Sequence, residues 1–136
     1  MDRTDQRLLE LLEQDARQSN TDLARKLRIS EGTVRNRIER LLKSGAIQRF
    51  TVVVGGKSLF RAIVLLDTQP SMPTDSIIAE LSRMKEIKKF LEVSGEWDVA
   101  MEVTCPTSER FNQVIERIRT TRGVLRTESL VVLKIS

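Results

Sequence analysis

The sequence contains no histidine and a single cysteine, Cys105. Without histidine, the commonest general base and metal ligand is missing, and one thiol alone makes no plausible zinc site. A lone cysteine also excludes an intramolecular disulfide and fits a reducing cytoplasm. The glycine-rich phosphate loops and the G-x-S-x-G motif of common enzymes are absent too. These absences argue against an enzyme, and neither a metal nor a bound cofactor is expected.

The sequence also lacks any apolar run near the ~20 residues that a membrane-spanning helix needs. Its N-terminus begins directly with a charged helical pattern, so no secretory signal is expected. The composition, 40% hydrophobic and 31% charged over 136 residues, is ordinary for one globular domain or two small ones. We therefore predict a cytoplasmic protein without membrane contact, associated with the nucleoid if it binds DNA.

The segment over residues 19–45 predicts two short helices joined by a tight turn. Ser19 can cap the first helix, with Asp22 three residues later as in a capping box. Ser30 is a natural N-cap for the second helix, and Gly45 is expected to end it. Two short helices in this arrangement are typical of a helix-turn-helix.

The second helix of this segment separates apolar from cationic residues. At 100° per residue, one face carries Val34, Ile38, Leu41 and Leu42. Such a helix, behind a shorter one, is how helix-turn-helix proteins enter the major groove. Since arginine can fork onto guanine and asparagine onto adenine, we assign base-edge or groove-floor contacts to Asn36, Arg37 and Arg40. Phosphate contacts are assigned to Thr33, Arg35 and Lys43.

The distribution of charge tests this interpretation, because a charged helix face is usually only solvated. Residues 28–49 contain six basic and two acidic side chains, whereas residues 51–136 contain twelve basic and eleven acidic ones. The positive excess of the chain, +4 overall, is thus concentrated around one helix, as a phosphate-neutralising surface requires. The pattern favours double-stranded DNA as the partner.

The flanking segments complete an N-terminal unit. Residues 2–14 predict a first helix that packs on the other two, giving three helices that end near residue 45. Residues 46–54 are β-prone and predict a strand, either a wing on this unit or the hinge to the next. The Gly55–Gly56 pair that follows is interpreted as a linker turn.

The second half of the chain predicts a βαββαβ order. The strands are expected at 61–66, 89–93, 97–103 and 125–135, and helices are expected to start at 74 or 75 and just after 106–108, with Gly123 ending the second. This order is the ferredoxin-like split βαβ arrangement, an antiparallel sheet with both helices on one face. Apolar residues on the other face would need cover, most economically by a second copy of the chain.

The sequence therefore predicts an α+β protein with an N-terminal three-helix (winged) helix-turn-helix domain and a C-terminal ferredoxin-like domain. The predicted boundaries are 1–50 for the first domain, 51–57 for the hinge and 58–136 for the ferredoxin-like domain.

Three segments together resemble one family. They are SNTDLARKLRISEGTVRNRIERLLKSGAI, the strand RAIVLL, and SGEWDVAM followed by a helix and a strand. In this order they resemble the Lrp/AsnC, or feast/famine, transcriptional regulators, over nearly the whole chain. The resemblance implies operator binding by the first domain, dimerisation by the second, and assembly into larger rings, commonly octamers. It also implies that a free amino acid binds between dimers at the G-x-aromatic-D turn.

The resemblance carries this effector site onto particular residues. Gly95 would let the backbone approach the ligand, although a turn needing positive φ explains a glycine equally well. Asp98 would order the turn or meet an ammonium group. The rest of the site would be Ser94, Glu96 and Trp97 in the turn and Thr127 and Ser129 on the final strand. Trp97 replaces the more usual Tyr or Phe, and Glu96 favours lysine or arginine as effector, unless it is only solvated.

The function predicted is a sequence-specific transcriptional regulator whose assembly or DNA affinity responds to an amino acid. Two alternatives remain open from the residues alone. One is an architectural, chromatin-like protein that binds DNA with little sequence preference. The other is an amino-acid sensor that acts through protein partners, with the N-terminal unit used for protein contact.

Overall fold

The structure is a computed structural model that describes residues 1–55 and 59–136. The chain divides into two compact units, Met1–Val54 and Gly55–Ser136. Gly56 and Lys57 of the predicted hinge, and with Gly56 part of the predicted Gly55–Gly56 turn, lie outside the described residues, as does Ser58 of the predicted C-terminal domain.

The N-terminal unit contains three helices in its described residues. They are α1 (Arg3–Gln14), α2 (Asn20–Leu27) and α3 (Glu31–Lys43). Ser19 Oγ accepts a hydrogen bond from the Asp22 amide (3.0 Å), and Ser30 Oγ accepts one from the Thr33 amide (3.1 Å). Both predicted caps are therefore present. Arg28 adopts the left-handed conformation (φ 56°) at the end of α2, which produces the tight turn before α3.

The core of this unit lies between the three helices. It consists of Leu8, Leu11, Leu12, Leu23, Ala24, Val34, Leu41 and Ile47. Leu42, which the periodicity placed on the apolar face of α3, is exposed instead. Leu42 is the most exposed of the four residues predicted for that face.

The strand predicted over residues 46–54 is wrong: the described residues of this stretch form no strand. Ile47 packs in the helical core, and its amide donates to the Leu41 carbonyl (2.9 Å). Val52 and Val53 are exposed. High β-propensity does not make a strand without a ladder partner, and the other described elements of this unit are helices.

The C-terminal unit has the predicted βαββαβ order. Its elements are β1 (Phe60–Thr68), α4 (Thr74–Leu81), β2 (Ile87–Glu92), β3 (Val99–Cys105), α5 (Ser108–Arg119) and β4 (Val124–Val131). The strands form an antiparallel sheet in the order β2-β3-β1-β4. The bounds of all four strands differ from the prediction by one to four residues, most of all at the end of β4, which stops at Val131 instead of residue 135.

The two faces of this sheet differ. Alternate residues of β1 and β3, such as Val64 and Met101, are buried against α4 and α5. The intervening residues face away from the helices, and this open face includes the half-buried Ile63 and Leu65 and the exposed Leu91 and Leu130. The side away from the helices is therefore partly apolar.

Gly123 is a position where substitution is expected to destabilise this unit. It has φ +94°, and a Cβ there would lie 2.8 Å from Ile77 Cδ1 and 2.9 Å from Met72 Sδ. Gly123→Ala should therefore lower the free energy of unfolding by about 1–2 kcal/mol from the backbone alone, measured by urea denaturation. Gly32→Ala is the control, because Gly32 lies in α3 without a positive φ and the nearest atom to an added Cβ, Ser30 Oγ, is 4.0 Å away. An unchanged urea midpoint for Gly123→Ala would contradict the prediction.

Candidate functional site

The outer face of α3 carries four of the predicted DNA-contacting side chains. These exposed residues are Arg35, Asn36, Arg40 and Lys43. Thr33 is half-buried at the start of the helix, where its hydroxyl lies 2.8 Å from Ser30 Oγ. The structure thus brings these five residues onto one helix, with Thr33 also engaged in the N-terminal cap.

Arg37 differs from these residues because its guanidinium turns toward α1. Its Nη1 lies 2.7 Å from Asp2 Oδ2 and 2.8 Å from Asp5 Oδ1, and its side chain is only 18% exposed. Asp5 is 9% exposed and also lies 3.8 Å from Arg40 Nη2. Asp2 and Asp5 further form the capping box of α1. We call Asp2, Asp5 and Arg37 the α1–α3 clamp. Base contact by Arg37 stays a prediction, and it would compete with this ion pair.

The clamp makes the stability of the N-terminal unit depend on pH. The hydrogen bond from Arg37 lowers the pKa of Asp2 from 3.8 to about 2, and it also lowers the pKa of Asp5. Since its folded-state pKa is depressed, the Asp2 carboxylate contributes stability above about pH 4 that is lost as the pH falls toward about 2. Asp5 contributes in the same direction.

Replacing Asp2 by asparagine should remove part of this dependence. Asparagine still caps a helix, but it cannot titrate and pairs less strongly with Arg37. We expect Asp2→Asn to melt at a lower temperature than wild type at pH 7, with the difference shrinking between pH 4 and pH 2. Thermal melts followed by circular dichroism between pH 7 and pH 2 measure this difference in melting temperature. Glu13→Gln, an exposed carboxylate on the same helix, is the control. A constant difference at every pH would refute the assignment.

The turn between β2 and β3 carries the predicted effector site. Asp98 Oδ2 accepts hydrogen bonds from the amide (2.8 Å) and hydroxyl (3.0 Å) of Thr68, which lower the pKa of Asp98. Its own amide donates to the Leu66 carbonyl (2.9 Å). Gly95 has φ +131°, and a Cβ there would meet no atom within 4 Å. In this structure Asp98 fastens the turn to β1, and Gly95 supplies the left-handed bend.

Trp97 and Glu96 in this turn meet an arginine from β4. The Arg126 guanidinium carbon lies 4.3 Å from the centroid of the Trp97 ring. Arg126 Nε lies 3.1 Å from Asp67 Oδ2, and Nη2 lies 3.5 Å from Glu96 Oε1. We call these four residues the Arg126 cluster. The sequence did not single out Arg126 or Asp67, because only the register that sets them opposite each other joins them.

Three predicted effector residues remain. Ser94 is exposed in the same turn. Thr127 and Ser129 are half-buried on β4 opposite Leu66 and Val64, whose side chains lie in the helix-covered core. Directly opposite residues share a face, so these two hydroxyls lie on the helix side of the sheet. Arg126 alternates with them and faces the other way. The structure therefore does not group the two hydroxyls with the Arg126 cluster.

A three-helix DNA-binding unit followed by a βαββαβ unit defines a class of two-domain transcriptional regulators. Residues 1–48 match the family model for winged helix-turn-helix DNA-binding domains, and residues 61–136 match that for the Lrp/AsnC ligand binding domain. The second match covers more than half of the chain, so the protein belongs to the Lrp/AsnC family. The resemblance seen in the sequence is confirmed.

Similar proteins span nearly the same length. The HTH-type transcriptional regulator LysM of Sulfurisphaera tokodaii is 36% identical, over 99% of this chain and 96% of its own. LysM of Saccharolobus solfataricus is 32% identical, over 98% of this chain and 94% of its own. The crystal structure of the Mycobacterium tuberculosis leucine response regulatory protein LrpA aligns with a TM-score of 0.86 at 28% identity, covering 99% and 94% of the two chains.

These matches establish what the protein does at the level of class. It is a transcriptional regulator with a helix-turn-helix DNA-binding domain and a domain that binds a small-molecule effector. Across the described ranges, no helix is both long and apolar enough to cross a membrane.

Proposed function

We propose that the exposed face of α3 reads a specific operator and that the turn after β2 binds a free amino acid that alters DNA affinity. The observation that carries the DNA-binding half is the set of exposed side chains on α3, Arg35, Asn36, Arg40 and Lys43, on the segment that holds the positive excess of the chain. Arg40 and Asn36 have the donors that base edges accept, and Lys43 and Arg35 suit phosphates. Thr33 supplies a hydroxyl at the start of the helix. Arg37, the third residue predicted to contact bases, would do so by leaving the clamp, in which it pairs with Asp2 and Asp5 of α1.

DNA binding and ligand binding are assigned to different units of the chain. Residues 1–50 form the DNA-binding domain, residues 51–57 the hinge, and residues 58–136 the ligand-binding and oligomerisation domain. The separate hydrophobic cores of the two units support this division, because each can hold its own fold.

The open face of the sheet joins two copies of the chain. Ile63, Leu65, Leu91 and Leu130 lie on that face, and a symmetric partner would remove them from water. In a two-fold dimer, two copies of α3 can meet successive major-groove faces about 34 Å apart on a pseudo-palindromic site. Dimers then assemble further, as an octamer or another higher oligomer.

The effector is a cationic amino acid, with lysine or arginine favoured. Glu96 and Asp67 add two carboxylates near the turn against the single Arg126, and Trp97 presents an aromatic face. The effector can change DNA affinity only through unequal affinity for two assembly states of the protein.

Titration of labelled DNA with purified protein tests this proposal. The upstream region of its own gene is compared with random DNA at two salt concentrations, with and without each of a panel of amino acids. Selective binding that one amino acid shifts would support both halves. Selective binding without a shift would remove the effector half. Salt-sensitive binding without selectivity would instead favour an architectural protein, and absence of binding would favour a sensor acting through protein partners.

A further inference from the structure

Arg126 occupies the place that a cationic ligand of the turn would take. Its guanidinium lies over the Trp97 ring, 4.3 Å from the centroid, and between the carboxylates of Asp67 and Glu96. A cation over an indole face and beside carboxylates is held by the same interactions that bind ammonium ligands. The Asp98 carboxylate is engaged with β1 instead, since its Oδ2 accepts hydrogen bonds from the amide and the hydroxyl of Thr68.

The contacts that hold Arg126 are unequal. The bond to Asp67 is the shorter one, at 3.1 Å, and it joins residues directly opposite each other on neighbouring strands. The contact to Glu96 is 3.5 Å long, and the Glu96 side chain is 72% exposed. Exposed ion pairs of this kind contribute little, so another cation can exchange for Arg126 at Glu96 and the ring. The Arg126 side chain is itself 50% exposed in the single chain, so its own ion pairs are solvent-screened as well.

We infer that Trp97, Glu96 and Asp67 form a cation subsite that Arg126 fills as a resident cation, and that the ammonium group of an amino acid must displace Arg126 to bind there. This inference rests on the proposed effector role of the turn. Arg126 is then a specificity-determining residue, since it excludes ligands that cannot compete with a guanidinium. It also lowers the apparent affinity of every ligand that can, in proportion to the fraction of time that the subsite is open.

Removing Arg126 should therefore strengthen binding of cations. If Arg126 occupies the subsite about nine-tenths of the time, Arg126→Gln should bind a cation roughly tenfold more tightly than wild type. The probes are lysine and cadaverine, which has the ammonium groups of lysine without a carboxylate. Trp97 is the only tryptophan of the chain, and there is no tyrosine, so its fluorescence reports on the subsite directly.

The matched control is Arg119→Gln. Arg119 lies on the exposed surface of α5, where it pairs with Glu116 at 2.8 Å, and its loss changes the net charge by the same amount. We expect its affinity for both probes to equal that of wild type. Circular dichroism checks that each variant is folded. The second variant, Glu96→Gln made together with Arg126→Gln, should lose the gain in cadaverine affinity.

Each outcome decides the inference. If Arg126→Gln binds lysine and cadaverine more tightly than wild type does, the result supports a resident cation. The same holds if Arg126→Gln binds both probes and wild type binds neither. Weaker binding of lysine by Arg126→Gln would overturn it, because Arg126 would then anchor the ligand carboxylate. Binding of neither probe by Arg126→Gln, or affinities equal to those of wild type, would overturn it as well. A wild-type protein whose DNA affinity no amino acid shifts counts against the proposed function, whereas the cadaverine measurement on Arg126→Gln is independent of that result.

Discussion

Leu8→Ala is expected to destabilise the N-terminal unit strongly and to weaken DNA binding. Leu8 is completely buried where the three helices meet. Removing a buried leucine side chain costs ~3 kcal/mol, through lost burial and the cavity that remains. A unit of 54 residues has only about 3–8 kcal/mol of stability at ordinary values per residue. Leu8→Ala therefore removes a large part of the free energy of unfolding of the N-terminal unit.

Thermal melts followed by circular dichroism, with DNA titrations on the same samples, measure this effect. Leu42→Ala is the matched control, because it removes the same atoms from an exposed leucine of α3 and should change the melting temperature little. The Trp97 fluorescence of Leu8→Ala should keep its folded-state value, because Trp97 belongs to the other unit. Wild-type melting of Leu8→Ala would show that the three-helix core is not arranged as described.

Arg40→Ala and Lys43→Ala should weaken DNA binding in different ways. If Arg40 reads a base edge, its loss should cost ~1–3 kcal/mol on the operator and relax specificity at one base pair. If Lys43 holds a phosphate, its loss should weaken all sequences alike and reduce the slope of log K against log salt by ~1. Both side chains are exposed, and Asp5, which lies 3.8 Å from Arg40, keeps its shorter ion pair with Arg37, so both variants should fold.

Fluorescence anisotropy with the operator, single-base variants of it and random DNA separates the two effects. Arg119→Ala removes an equal charge from α5 in the other unit and is the control for net charge. Equal losses for Arg40→Ala, Lys43→Ala and Arg119→Ala would mean that DNA responds only to total charge. That result would contradict the assignment of α3 as the recognition helix.

Local patterns predicted most of the fold, because helices and their caps are determined by residues close in sequence. Ser19 and Ser30 cap helices in the structure where the sequence predicted caps, and Gly45 and Gly123 follow helices as expected. The βαββαβ order also followed from short apolar runs separated by turn residues. Residues 46–54 were mispredicted because β-propensity describes a residue and not the partner strand that it needs.

Long-range pairs account for what the sequence did not predict in the two sites. Arg37 was assigned from its angle on α3 alone, whereas its carboxylate partners lie more than 30 residues earlier. Arg126 was missed because its contacts come from Asp67 and Glu96, each at least 30 residues away. Such pairs depend on how elements pack, and neither periodicity nor a local motif reports on packing.

The clamp has a consequence for the thermodynamics of DNA binding. Asp2 and Asp5 hold Arg37 before any DNA arrives, so α3 is already fixed against α1 by an ion pair as well as by its apolar face. The conformational entropy of positioning the recognition helix is therefore lost during folding and not during DNA binding. On binding, only the long exposed side chains of α3 would still lose conformational freedom. Two carboxylates that need not contact DNA thus help to set the orientation of the recognition helix.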